Sequence, residues 1–472
     1  MRNKLIITGF SILLISLILT SSKTANETEG TLNYTLPCTG EIKLESKIPT
    51  DPLILNQYCA NTFAWEAFIA LNWPAAKNGS GGYIDGQAAN VRFDQVGTPD
   101  DLSATVWETY ADANGIFRDV PPPPWNENQV VPLNPGETCD TGRPFRHFNK
   151  ITSEQPEEIE DLFQASGPQW LAAQNEKIVW YEILTNETEF DFINLNHLYN
   201  VDSLMKYGLA QTNDAFWLPE NSMELKASWL QITDAQFNDK SFSNKYKIIQ
   251  GCVPQQIELV KVKDNYVPQL SNFQPTYLAL VGLHIIVKTP STPQFLWASF
   301  EHMDNVPTQN TPEMQKSGYN FYNPNCSQRC EINKPYPATN GTLTTAPPNQ
   351  TIRTQANSIG KNAKELNKVV QAQIANKNSS SVWQYYRLIN VQWPNTAVSN
   401  TLNAQNGNFE LEYGGGYPTV SVFGNPVSET YVQQLSCLNC HFAATFSDGH
   451  KTISTSYSFI FNKAKMRGAI PK

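Results

Sequence analysis

Residues 276–289 read TYLALVGLHIIVKT, a run that is apolar at nearly every position from Tyr277 to Val287. A strand with one solvated face alternates apolar and polar residues; this one does not, so both of its faces are covered and it is a central strand. Working outward, residues 294–303 (QFLWASFEHM), 177–186 (KIVWYEILTN), 222–232 (SMELKASWLQI) and 265–269 (NYVPQ) are short, rich in aromatic and β-branched residues and separated by turn formers. They are strands of the same body. Toward both ends the pattern becomes helical. In residues 59–76 (CANTFAWEAFIALNWPAA), Phe63, Ala67, Ala70 and Leu71 fall on one face and Pro74 ends the run, while residues 358–377 (SIGKNAKELNKVVQAQIANK) read as a second helix. Residues 381–394 (SVWQYYRLINVQWP) echo the first helix, with Trp383, Tyr386 and Trp393 standing like Trp65, Phe68 and Trp73, and are expected to form a similar core helix. The fold class is therefore α+β: an antiparallel β-rich body with flanking helices.

The 472 residues exceed the size at which one core keeps growing, so two packed units are expected, although large all-β units can run long. Composition is 40% hydrophobic, 11% aromatic and 16% charged with 31 Pro, which describes a loop-rich globular chain. Four segments follow. Residues 1–25 carry Arg2 and Lys4, an apolar run from Leu5 to Leu19 and a small-residue exit, the pattern of a signal peptide. Residues 26–150 hold the first helix and an extended, proline-rich connection beginning at Pro121. Residues 151–357 form the β-rich body, ending in a long Pro/Asn-rich excursion, and residues 358–472 form a C-terminal helical segment. Loss of Arg2, Lys4 and Lys23 with the signal peptide deepens the net charge of −9 by three. An acidic surface without basic runs argues against nucleic acid or anionic membrane as partners and favours a partner with a basic docking surface.

The eight cysteines divide into six and two. Cys38, Cys59, Cys139, Cys252, Cys326 and Cys330 suit disulfides in an exported chain, with fifteen possible pairings and a local Cys326–Cys330 bridge the easiest to form. The other two lie in residues 436–441, SCLNCH, where Cys437, Cys440 and the adjacent His441 have the spacing of covalent haem attachment: two thiols for thioether bonds and an imidazole for the iron. Random placement of eight Cys and six His would give this pattern about 0.002 times. Asn425 and Pro426 suit a helix start and Gly449 a stop, so a helix carrying the haem is expected between them, with Tyr431, Leu435, Leu438 and Phe442 as its apolar stripe.

The second axial ligand is less plain, because so little chain follows His441. Met466 is the methionine available there, and His450 lies at the expected helix exit. Two histidines of the β body are the other candidates. Strand alternation sets His302 at the end of a face with Leu296, Ala298 and Phe300, and His284 on a face with Leu278, Leu280, Gly282 and Ile286, where Gly282 leaves room for a bulky neighbour. Each also reads as an ordinary core histidine bonded to backbone. Glu224 and Lys226 share a strand face, as a solvated ion pair or, if covered, as a proton relay. His147 and His197 lie in polar stretches and read as surface residues.

The motif resembles the c-type cytochromes, and the patches FIALNWP, ELKASW, LWASFEHMDN and SCLNCH together resemble exported single-haem bacterial proteins of the cytochrome c family with a C-terminal motif. The resemblance implies one covalent haem c, held by Cys437, Cys440 and His441, and a bacterial periplasmic, secreted or cell-surface location. It names no substrate. It does not imply the small cytochrome c fold, whose helices are not all here. Three functions stay open: electron transfer with a redox partner protein; a peroxidase- or oxygenase-like enzyme with an open sixth site and His302 with Glu301 or Glu224 as distal groups; and a glycan- or ligand-binding module with a structural haem.

Overall fold

The computed structural model describes residues 38–468, apart from 39, 80–81, 119, 128–138, 140–169, 212–213, 263–264, 337–340, 343–346 and 395–418. The signal peptide expected over residues 1–25 and His147 lie outside the described residues, as does most of the proline-rich connection.

One antiparallel sheet organises the chain. Its strands are β1 (Ala111–Asp112), β2 (Val179–Thr185), β3 (Met223–Gln231), β4 (Ile248–Val262), β5 (Asn265–Thr289), β6 (Thr292–His302), β7 (Gly341–Thr342) and β8 (Tyr386–Gln392). The order along the main path is β7-β4-β5-β3-β2-β1, with β6 beside β5 and β8 beside β6. The apolar run of β5 is central, as its sequence demands: β3 pairs with one edge, while β4 and then β6 take successive stretches of the other. The fold class read from sequence, α+β around an antiparallel body, is the observed one.

A register shift refines that reading. Ser228 of β3 pairs with Gly282 and Trp229 with Leu280, so Val281 is an extra residue, a bulge. Leu278 and Leu280 before it and Leu283, Ile285 and Val287 after it all pack in the same core. Uniform alternation across residues 278–286 is therefore wrong by one position. His284 shares its face with Gly282 and Ile286 and is turned away from Leu278 and Leu280.

On the larger core face lies α1 (Gln57–Leu71), capped by Asn56, whose side chain accepts the Cys59 N–H. Trp65 and Phe68 of α1 pack on Phe300 at ring separations of 5.0 and 4.3 Å, beside Trp383 and Tyr386. Helix α4 (Lys361–Lys377) covers the same face through Ala363, Leu366, Val370 and Ile374. The expected helix over residues 381–394 is a correction: Val382–Tyr385 is one 3₁₀ turn and Tyr386–Gln392 is β8, paired with β6. The apolar residues there fit a strand buried on both faces as well as a helix, and pairing with β6 decides between them.

The opposite face is covered by α2 (Glu187–Leu195), α3 (Val201–Leu209) and the C-terminal tail, around Ile286, Trp297 and Ile389. Among the described residues, those from Cys38 onward cluster as one unit that holds the N-terminal helix, the β body and the tail, and no second packed unit of the kind expected from length is found among them. Disulfides join Cys38–Cys59, Cys139–Cys252 and Cys326–Cys330, as six of eight cysteines in an oxidising compartment would. Among the described residues no helix is long and apolar enough to cross a membrane.

Candidate functional site

The motif sits on a short helix, α5 (Cys437–His441), begun by Ser436, whose hydroxyl accepts the Asn439 N–H at 3.3 Å. The long helix expected from Pro426 to Asp448 is a correction. Residues before Ser436 turn instead, and Thr445–Ser447 (β9) pairs with Thr452–Thr455 (β10) in a small sheet. The turns before the motif are held by specific bonds a helix would break. Asn425 donates its amide to Ser299 Oγ (3.0 Å) and to the Phe300 carbonyl (2.9 Å), and its own N–H goes to Glu429 Oε2 (2.8 Å). Tyr181 donates to the Val427 carbonyl and Ser428 meets Ser228, each at 2.8 Å. Residues 425–428 thus form a strap lying on the sheet.

Gly282 is what the strap rests on. A Cβ there would stand 2.9 Å from Val427 Cγ2 and 3.2 Å from Asn425 Nδ2, so only glycine permits this approach. The bulky neighbour that Gly282 admits is the chain itself.

Helix α5 keeps Cys437, Cys440 and His441 on one side, since positions three and four apart share a face. Its other side is anchored: Leu438 is fully buried, and its N–H is accepted by Gln392 Oε1 at 3.0 Å. His441 is fixed more closely still. Nδ1 lies 2.8 Å from the Tyr457 carbonyl, an acceptor without a proton, so Nδ1 carries the hydrogen and Nε2 keeps its lone pair. The ring lies between Trp297 (4.4 Å between centroids) and Phe459 (5.0 Å). Loss of water pushes the imidazole down to about 4, which keeps it neutral at pH 7, the form that binds metal. Neither Cys437 nor Cys440 is in a disulfide; the first is half-buried and the second exposed. Burial, then Glu429, pushes both thiols up, so they stay protonated.

Beneath the motif the sheet presents charges. Lys226 and His284 are directly paired across β3 and β5, and Lys226 lies 5.6 Å over the Tyr181 ring. His284 Nε2 is 3.3 Å from Glu429 Oε1 but forms no aligned hydrogen bond. Burial would raise Glu429, yet His284 and Lys226 more than reverse this and hold it below the usual carboxylate range. All three groups are close enough to act on the charge of His441.

The remaining candidates are placed elsewhere. His302, fully buried, is flat on Tyr246 at 3.7 Å, with Nε2 on the Lys245 carbonyl and Nδ1 accepting the Asp304 N–H, each at 3.1 Å. With both nitrogens engaged it is the core histidine of the two readings. Glu301, also buried, is ion-paired to Arg353 and, at 2.7 Å, to Arg387; against the pull of burial these guanidiniums hold it ionised, which does not suit a distal acid. Glu224 is buried beside Glu189 and Ser458, not ion-paired to Lys226. Met466 packs in the apolar cluster that holds Leu438, Trp297 and Phe461, with its carbonyl on the Val201 N–H. His450 is exposed in the β9–β10 turn and His197 is exposed beside Tyr199.

The donor set fits covalent haem: two unbridged thiols and an imidazole of fixed tautomer on one side of an anchored helix. Gln392, Tyr457 and Glu429 complete the site and were not legible in sequence; only proximity of Glu429 to the motif offered a signal. Comparison of the chain with models of known families, with curated proteins and with solved structures finds no match.

Proposed function

We propose that the protein is an exported monohaem c-type cytochrome that binds haem through Cys437, Cys440 and His441 and transfers single electrons. The observation that supports it most is His441, whose Nδ1–H on the Tyr457 carbonyl leaves Nε2 free beside two thiols, in a chain whose other six cysteines are paired. Haem held this way supplies a one-electron Fe(III)/Fe(II) couple. The chain's own part is then to orient and tune. The Tyr457 carbonyl would raise the basicity of the imidazole, and Trp297 and Phe459 pack against its ring. His284 would be the better candidate for the sixth position, since both His302 nitrogens are hydrogen-bonded, whereas His284 lies beneath the motif with Nε2 in an ion pair, 3.3 Å from Glu429 Oε1, as the one polar contact of its ring among the described residues. The acidic chain suits a redox partner with a basic docking surface, and the disulfides suit a periplasmic or extracellular place.

A second reading draws on the same cluster: with the sixth position open, His284, Glu429 and Lys226 are acid–base groups of a haem enzyme. Export in a bacterium competent for haem attachment, followed by an alkaline pyridine spectrum and intact mass, tests the first claim. One covalent haem per chain, lost in the Cys437→Ala/Cys440→Ala variant, is expected; a colourless protein with the bare polypeptide mass defeats it. Addition of carbon monoxide and cyanide separates the two readings, rapid binding favouring the open site. The His284→Ala variant should convert a ligand-inert spectrum into a ligand-binding one.

A further inference from the structure

Farther along the sheet face that carries Lys226 and His284 lies a buried group of ionisable residues that the haem reading does not use. Glu189 of α2 is fully buried and Glu224 of β3 is 6% exposed, and their carboxyl groups are within hydrogen-bonding reach of one another. Ser458 also reaches Glu224. Neither Glu189 oxygen nor Glu224 Oε1 has an N–H or O–H donor from a fixed dipole. Two carboxylates can bond each other only through a proton, so the pair is built to hold one. From β5, Lys288 adds a buried cation: its ammonium donates to the Leu218 carbonyl and lies 4.8 Å over the Trp217 ring, within electrostatic reach of Glu189 and Glu220. With one shared proton the two acids and the lysine are together neutral, which burial favours.

The pair is wired toward His441 by two routes. Ser458, bonded to Glu224, follows Tyr457, whose carbonyl holds the His441 Nδ1–H. Across the sheet, Glu224 pairs with Ile286, Ile286 with Trp297, and Trp297 packs on the His441 ring. Three adjacent strands span about 10 Å, close enough for charge at one end to be felt at the other in a medium of low dielectric.

We propose that the Glu189–Glu224 pair is a proton-uptake site coupled to the redox state of a group bound at His441. When a one-electron donor protein delivers an electron there, the added negative charge raises the proton affinity of the pair, which takes one proton from solvent; on oxidation the electron leaves to an acceptor and the proton returns. Burial pushes both carboxyls up, Glu224 to about 7, while Lys288, itself brought down to about 8 by burial, counters the rise at Glu189.

The inference rests on the haem reading, and the test keeps the two apart. Midpoint potentials of the purified holoprotein are measured by spectroelectrochemistry from about pH 5 to pH 9, with a redox difference infrared spectrum at one pH. The wild type should lose potential as pH rises, by up to about 59 mV per unit, the one-electron equivalent of a tenfold change. Glu189→Gln and Glu224→Gln, each close in shape to a protonated acid, should flatten the slope and remove the carboxylic acid C=O signal while the haem content stays at one. A pH-independent wild type, or a slope that survives both substitutions, overturns the proposal with the haem reading intact. Absence of covalent haem overturns both.

Discussion

The two faces of the central sheet are covered by different kinds of chain. On one, Trp65, Phe68, Trp229, Phe300 and Trp383 pack in a large apolar core in which buried Glu182 accepts the Trp229 indole N–H at 2.6 Å. On the other, Glu224, Lys226, His284, Trp297 and Ser299 lie under the strap, the C-terminal tail and α2. The strands are the same in both cases, so the difference comes from what covers them. Helices α1 and α4 cover the first; the strap and the C-terminal tail, with α2 and α3, cover the second. Under the strap a buried charge is partnered by chain: Glu429 accepts the Asn425 N–H and lies 3.3 Å from His284.

That contrast can be attacked in order of expected effect. Phe300→Ala removes the ring on which Trp65 and Phe68 pack and should cost about 3–5 kcal/mol in denaturant unfolding. The same substitution should leave the spectrum of the remaining folded protein unchanged. A cost under about 1 kcal/mol would mean that this face is not the structural one.

His302 provides the next test. Its pKa is pushed down to about 4 by burial, below its ordinary value, so the unfolded chain binds a proton that the folded one does not. Stability from this group is full above about pH 6.5 and is lost as pH falls to about 4, on the order of 3 kcal/mol. Urea midpoints at pH 7.5 and 4 should diverge less in His302→Gln than in the wild type.

Gly282→Val should displace the strap and cost about 1–3 kcal/mol, with loss of the Ser228–Ser428 contact visible as faster amide exchange over residues 425–429. Exchange and stability equal to wild type would show that the strap does not bear on the sheet. Smallest of all, Asp100→Asn breaks an exposed pair with Lys240 and should move stability by no more than about 0.5 kcal/mol.

Sequence exposed the first face more fully than the second. Apolar runs name their own strands and helices, which is why β5, β6 and α1 were legible down to which of Leu296, Ala298 and Phe300 point together. Strand β4, residues 248–262, escaped because Pro254 and a run of glutamines break its apolar pattern, and pairing with the long β5 supplies what propensity does not. In the site, Cys437, Cys440 and His441 were legible because their spacing is covalent chemistry. Glu429, Gln392 and Tyr457 were not, because each acts through a single contact set by tertiary packing. The expected helix from Pro426 failed for the same reason: its caps were sound, but Asn425 is held by Phe300 and Ser299 of β6, more than a hundred positions earlier.

The extra residue at Val281 has a consequence for how such a chain can change. It acts as a frame shift within one strand, so that the segment before it and the segment after it assign inside and outside independently. Because Val281 is the residue left over between the Leu280–Trp229 and Gly282–Ser228 pairs, its loss would restore plain alternation and leave Leu283 and His284 on their present faces. The same loss at a regularly paired position such as Leu283 would carry the residues beyond it to the opposite face, so the bulge marks a place where the strand can shorten without exchanging the two interiors.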